Sequence, residues 1–234
     1  MDSSFVITID GPAGSGKSTL ARSLSAELGW PFLDTGALYR AVAVAAAELG
    51  LGGAGPEALA DLARGLEIAV VLARDVSRVS LAGRDVTDLL RTPEISDLAS
   101  RLSAVAGVRG ALRDLQRSLG SRGGIVTEGR DQGTAIFPEA RLKFFLTAAP
   151  ETRAERRARE LEARGLEVDR AAVLAAILAR DLQDSTRETD PLREPPDSVR
   201  VDSTSLSERE VLELMLARAR EVFGRISGPE GPAG

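Results

Sequence analysis

The chain has 234 residues, 43% of them hydrophobic, enough for one large domain or a domain with inserts. It carries no cysteine and no histidine, which excludes disulfides, thiolate metal sites, cysteine nucleophiles and the usual general base. A net charge of −5 and an aromatic content of 3% argue against nucleic acid as a partner, and no apolar run of ~18 residues or basic-then-apolar leader is present, so no membrane association and a cytoplasmic location are expected.

The chain alternates short apolar runs with longer helical ones. In order, the strand candidates are Phe5–Ile9, Pro31–Leu33, Ile125–Glu128, Leu142–Leu146 and Ser198–Val201. The helical stretches between and after them are Lys17–Leu28, Ala37–Leu49, Val108–Leu119, Thr152–Arg164 and Leu206–Val222. Such alternation implies βαβ units and a parallel sheet covered on both faces, an α/β fold. Ligands of such sheets bind beyond the carboxyl ends of the strands. One stretch breaks the pattern. Leu66–Leu72 and Arg78–Leu81 read as strands joined by the short connection 73–77, Val86–Leu90 as a continuation of that small sheet, and Pro93–Ser103 as a helix. This suggests an inserted subdomain over about residues 62–104; an edge elaboration of the main sheet is the alternative. The tail, Gly224–Gly234, is rich in Gly and Pro and is expected to be disordered.

Four segments carry chemistry. Gly11-Pro12-Ala13-Gly14-Ser15-Gly16-Lys17-Ser18 is a complete GxxxxGK[ST] phosphate-binding loop, set between an apolar strand and a helix that begins near Thr19. Its glycines let consecutive N–H groups turn inward, and the following helix points its positive end at the same spot. Lys17 is expected at the β- and γ-phosphates of a nucleoside triphosphate, and the Ser18 hydroxyl at Mg²⁺. Of 30 basic residues only Lys17 and Lys143 are lysines, so a lysine at the one loop position that needs a compact charge stands out.

The second segment is Asp34-Thr35-Gly36-Ala37-Leu38-Tyr39-Arg40. Asp34 or Thr35 can cap a helix there, and Arg40 follows about one turn in, where its fork suits a phosphate; a plain cap with a surface arginine gives the same pattern. The third, Glu128-Gly129-Arg130-Asp131-Gln132-Gly133-Thr134, packs charges between glycines at the end of a strand. In the fourth, Arg180, Asp184 and Arg187 are spaced to share a helix face before Pro191 ends it. A charged arm with mobile ends suits a lid, although a solvated salt-bridge face has the same spacing.

With these segments in place, the chain resembles the bacterial cytidylate kinases through IDGPAGSGKST (Ile9–Thr19), LDTGALYR (Leu33–Arg40), EGRDQGTAIFPEA (Glu128–Ala140) and RDLQDSTRETDPL (Arg180–Leu192), in register from about residue 4 to residue 222. The resemblance implies a P-loop NTPase of the nucleoside-monophosphate-kinase type. It would have a five-stranded parallel core, a lid over about residues 165–192 and an enlarged monophosphate-binding insert. One kinase unit would span residues 1–224, with 225–234 as tail. It implies transfer of the γ-phosphate of ATP to CMP or dCMP with Mg²⁺ by a monomer. The residues from Gly11 to Thr19 would cradle ATP. Arg40, Arg109 and Arg130 resemble the family's clamp on the CMP phosphate, Thr35 and Asp131 match positions near the nucleoside, and Asp184 matches the residue bonded to the ribose. Arg180 and Arg187 match lid arginines, catalytic together with Lys17 and Arg130. Gln132 departs from the family, which more often carries an aliphatic residue there; a small effect on substrate contacts is expected.

The composition suits this chemistry independently. A phosphate acceptor, with a second pKa near 6, is already a nucleophile at neutral pH and needs no general base. A kinase for another small acceptor (UMP, dTMP, dephospho-coenzyme A or shikimate) shares the phosphate loop. A nucleotide-dependent switch is the rival from another class, but the chain contains no asparagine, so the Asn-Lys-x-Asp guanine motif is absent.

Overall fold

A computed structural model of the chain describes residues 5–74, 77–121 and 123–224. Five strands, β1 (Val6–Asp10), β2 (Phe32–Asp34), β6 (Ile125–Gly129), β7 (Leu142–Thr147) and β8 (Val199–Asp202), form one parallel sheet in the order β2-β6-β1-β7-β8. β1 and β6 are buried along their whole length, their apolar residues on both faces and their polar ones, Thr8, Asp10, Thr127 and Glu128, buried with them. All five expected core strands are present.

Local chemistry sets the helix boundaries. Helix α1 (Lys17–Leu28) starts after Gly16 and ends at Gly29, both left-handed. Asp34, not Thr35, caps α2 (Thr35–Glu48) by accepting from the Ala37 N–H at 3.1 Å. α8 (Glu208–Phe223) opens on a capping box of Ser207 and Glu210. α1 and α8 pack on one face of the sheet around Ile7, Ile9, Leu24, Phe144, Leu146 and Met215. On the opposite side, α2 is shared: Leu38, Val42, Leu59, Leu98, Leu102 and Leu112 join it to α3 (Pro56–Gly65), α4 (Pro93–Leu102) and α5 (Ala106–Gly120).

The expected hairpin is present as β3 (Ile68–Val71) and β4 (Arg78–Leu81); residues 75 and 76 of its connection lie outside the described residues. The third strand differs from expectation. β5 is Arg84–Asp85, reached through a tight turn in which Ala82 and Gly83 both have positive φ. Thr87–Leu90 of the expected strand Val86–Leu90 falls instead in a 3₁₀ turn, Thr87–Arg91. The Asp85 carboxylate accepts from the Thr87 N–H at 2.8 Å, and this local bond turns the chain out of the ladder. The small sheet is tied to the large one where the Phe32 N–H donates to the Ala73 carbonyl at 2.9 Å, covering the β2 edge.

α6 (Pro150–Glu162) and α7 (Arg170–Thr186) form an arm carrying the charged segment. Sequence periodicity missed α3, a short helix behind a Gly-rich stretch, and most of α7, whose alanine-rich turns leave little apolar contrast. The Gly/Pro tail at 225–234 lies outside the described residues. No helix among the described residues is long and apolar enough to cross a membrane.

Candidate active site

The carboxyl ends of β1, β2 and β6 lie side by side, with Ile9 opposite Glu128 and Asp10 opposite Gly129 across one ladder, and Asp34 opposite Glu128 across the next. Gly11 is obligatory at the start of the phosphate loop: φ is +151°, and a Cβ there would lie 1.9 Å from the Leu146 carbonyl oxygen. The Lys17 ammonium is buried inside the loop, donating to the Pro12 carbonyl at 2.6 Å and to Ser15 Oγ at 3.3 Å. The Ser18 hydroxyl donates to Glu128 Oε1 at 2.6 Å.

Around this cradle the arginines meet acids. Arg40 pairs with Asp34 at 2.5 Å, and Arg109, 3% exposed, pairs with Asp131 and donates to the Ser103 carbonyl at 3.2 Å. Arg130 Nε donates to Asp184 Oδ2 at 2.7 Å, linking β6 to the arm. Arg187 is buried, 3.6 Å from Asp184 and 4.0 Å from Asp131. Arg180 lies at the exposed side of the cluster, close enough to Arg130, Asp184 and Arg40 to feel their charge. Thr35 is turned inward, its hydroxyl on the Glu128 carbonyl at 2.7 Å. The charged residues that the resemblance assigned to the site thus form one linked cluster beyond the strand ends.

A family model for cytidylate kinase matches residues 7–221. The chain belongs to the cytidylate kinase family. It is 48% identical over 217 residues to a cytidylate kinase of Geobacter sulfurreducens, covering 93% of each chain, and 46% identical to one of Syntrophotalea carbinolica, covering 92% of each. The crystal structure of an uncharacterized protein from Eubacterium ventriosum shares the fold, with a TM-score of 0.50 at 12% identity over 93% of this chain and 98% of that one.

Burial and charge work against each other throughout this cluster. Burial, then the nearby Arg130, pushes the Lys17 ammonium down to about 7, with Glu128 and Asp184 opposing. Burial, then Asp34, pushes the Glu128 carboxyl up. Burial also raises Asp184, but Arg130, Arg180 and Arg187 outweigh it and hold the carboxyl below its ordinary range.

Several site residues carried no recognised signal. Asp190, at φ +48°, accepts from Arg113 at 2.6 Å and lies 3.5 Å from Arg109. Arg113 stands one turn after Arg109 on α5, a spacing that marks a shared face. Arg153 on α6 donates to the Ala13 carbonyl of the phosphate loop at 3.0 Å and pairs with Asp181 of the arm at 2.6 Å. Glu128 heads the third charged segment but was given no role of its own there; its bond with Ser18 shows only in the fold. Gln132 faces away from the cleft into a buried polar chain: it accepts from Thr127 at 3.0 Å and donates to Gln116 at 3.0 Å.

Proposed function

We propose that the protein transfers the γ-phosphate of ATP to CMP, and to dCMP, giving the diphosphate and ADP. The observation that carries this reading is the convergence of Arg40, Arg109, Arg130, Arg180 and Arg187 on a cleft headed by the Lys17 loop, in a chain of this family. Such a cleft can neutralise two polyanions in line, which is most of what phosphoryl transfer demands. With no histidine the chain lacks the usual general base, and a phosphate acceptor requires none.

The backbone amides from Gly11 to Thr19 and Lys17 would hold the donor's β- and γ-phosphates. Arg40, Arg109 and Arg130 would hold the acceptor phosphate, with Thr35 and Asp131 beside the nucleoside and Asp184 at the ribose. Arg180 and Arg187, carried on the arm, would meet charge on the transferring group. The donor set near Ser18 fits magnesium: hydroxyl and carboxylate oxygens are hard ligands. Because the Ser18 O–H donates to Glu128, the lone pairs of its oxygen remain available to a cation. Ser18 and Glu128 would hold the ion, and its positive charge would offset charge on the phosphates.

A steady-state assay of ADP release across CMP, dCMP, UMP, dTMP, AMP, GMP, shikimate and dephospho-coenzyme A tests the reading. CMP should give the highest kcat/KM; no CMP-dependent ADP release, or a clear preference for another acceptor, overturns it.

A further inference from the structure

Asp10 is the last residue of β1 and directly precedes Gly11 of the phosphate loop. Its side chain is completely buried, yet none of the roles above uses it. Oδ1 accepts from the Gln132 N–H at 2.9 Å and Oδ2 from the Gly133 N–H at 2.7 Å. These amides open the single π-helical turn Gln132–Ile136 that follows Arg130 and Asp131. The β1–β6 ladder ends with Asp10 opposite Gly129. Beyond that register the two backbones have no further rungs, and the Asp10 carboxylate captures free amides of the departing chain.

The choice of a carboxylate is informative. Burying a charge is costly, so a group used only to satisfy polar atoms would ordinarily be neutral. Two adjacent N–H donors converging on one point, however, need two acceptors at that point. A carboxylate provides both, whereas asparagine presents one acceptor and one donor. The site is also closed to adjustment: a Cβ on Gly133 would lie 2.9 Å from Thr8 Oγ1, the side chain one face-repeat before Asp10 on β1.

We infer that Asp10 is a positioning residue that bolts the Arg130–Asp131 segment to the head of the phosphate loop, so setting the separation between donor cradle and acceptor clamp. The inference rests on the kinase reading above and deepens it. In-line transfer is sensitive to this separation, since a misplacement of about 1 Å can cost on the order of a hundredfold in rate.

The test is Asp10→Asn in the full chain at pH 8, where the Asp10 carboxyl is mostly ionised, with kinetics for CMP and ATP, thermal stabilisation by ADP and by CMP, and amide exchange on the wild type. The variant should lose at least tenfold in kcat and raise the KM for CMP at least threefold, while stabilisation by ADP stays as in the wild type. Kinetics within threefold of wild type, with only a lowered melting temperature, would confine Asp10 to stability and overturn the inference. Equal loss of ADP and CMP binding would also overturn it, because Asp10 would then shape the loop alone. If the variant does not fold, the wild type decides. The Gln132 and Gly133 amides should exchange as slowly as that of Ile9, and exchange at the rate of an exposed loop rules the bolt out. A wild type that does not phosphorylate CMP defeats the kinase reading, while the exchange result still reports on Asp10.

Discussion

Asp184→Ala isolates the acid on which the arm and the core meet. Its carboxylate is 5% exposed, bonded to Arg130 at 2.7 Å and facing Arg187 at 3.6 Å. Removing one member of a buried ion pair leaves the other charge uncompensated, a loss of about 3–5 kcal/mol. Arg130 is 18% exposed and keeps some access to water, so the lower end, about 3 kcal/mol, applies. For a domain of this size that corresponds to a melting temperature lower by roughly 6–12 °C. A carboxylate accepts several hydrogen bonds, so holding the arginines leaves lone pairs for a ribose hydroxyl. A charge-assisted bond of about 1.5–3 kcal/mol to the 2′-hydroxyl would make the loss in kcat/KM at least tenfold greater for CMP than for dCMP. Differential scanning fluorimetry and parallel CMP and dCMP kinetics read both quantities. An unchanged melting temperature refutes the ion-pair reasoning. Equal losses on CMP and dCMP refute the contact with the 2′-hydroxyl.

Three further outcomes follow from the same geometry. Lys17→Ala should lower kcat by about a hundredfold or more with the fold intact by circular dichroism, since it removes the loop's one inward cation; turnover near wild type would be incompatible with the assignment. Gln132→Ile should destabilise by about 1–3 kcal/mol in urea melts, because Thr127 and Gln116 lose their partner; Gln132→Ile/Gln116→Leu should recover part of that, and a double variant worse than the sum of the single ones would contradict the chain of bonds. Burial, opposed by the Gly133 and Gln132 amides, raises Asp10 to about 7, with Asp131 and Lys17 as its charged neighbours. A raised carboxyl favours folding most below its unfolded pKa and loses that contribution as pH rises to 7. The stability of the wild type relative to Asp10→Asn should therefore fall by a few kcal/mol between pH 4 and pH 8, and a flat difference would exclude the raised pKa.

The sheet was legible because its strands are buried on both faces, so Val6–Asp10 and Ile125–Gly129 open on apolar, β-branched residues rather than alternating with polar ones. The phosphate loop was legible because its backbone conformation demands glycine at fixed positions. Arg109 was placed only by resemblance: on α5 it looks like any surface arginine, and its burial comes from Asp131, Asp190 and the Tyr39 ring 5.7 Å away. Asp190 and Arg153 were illegible for the same reason, since their partners are remote in sequence. The third strand of the small sheet was misread because a side-chain bond from Asp85 overrode the β-propensity of Val86.

Both lysines are interior, Lys17 at 5% exposure and Lys143 at 4%, the latter held by Asp197 at 2.7 Å. The outer cations are therefore all arginines, and histidine and cysteine are missing altogether. Ordinary carboxylates finish titrating by about pH 5–6 and arginine does not begin below about 12. The α-amino group and Arg180, which burial pulls down to about 10, aside, the exterior is protonically silent across the neutral range, so its charge is nearly the same at about pH 6.5 as at about pH 8. Protons exchanged with solvent when a nucleotide binds in that window originate in the cleft, from Asp10, Lys17, Glu128 or the nucleotide's own phosphate. Calorimetry in two buffers of different ionisation heat would count them against almost no background.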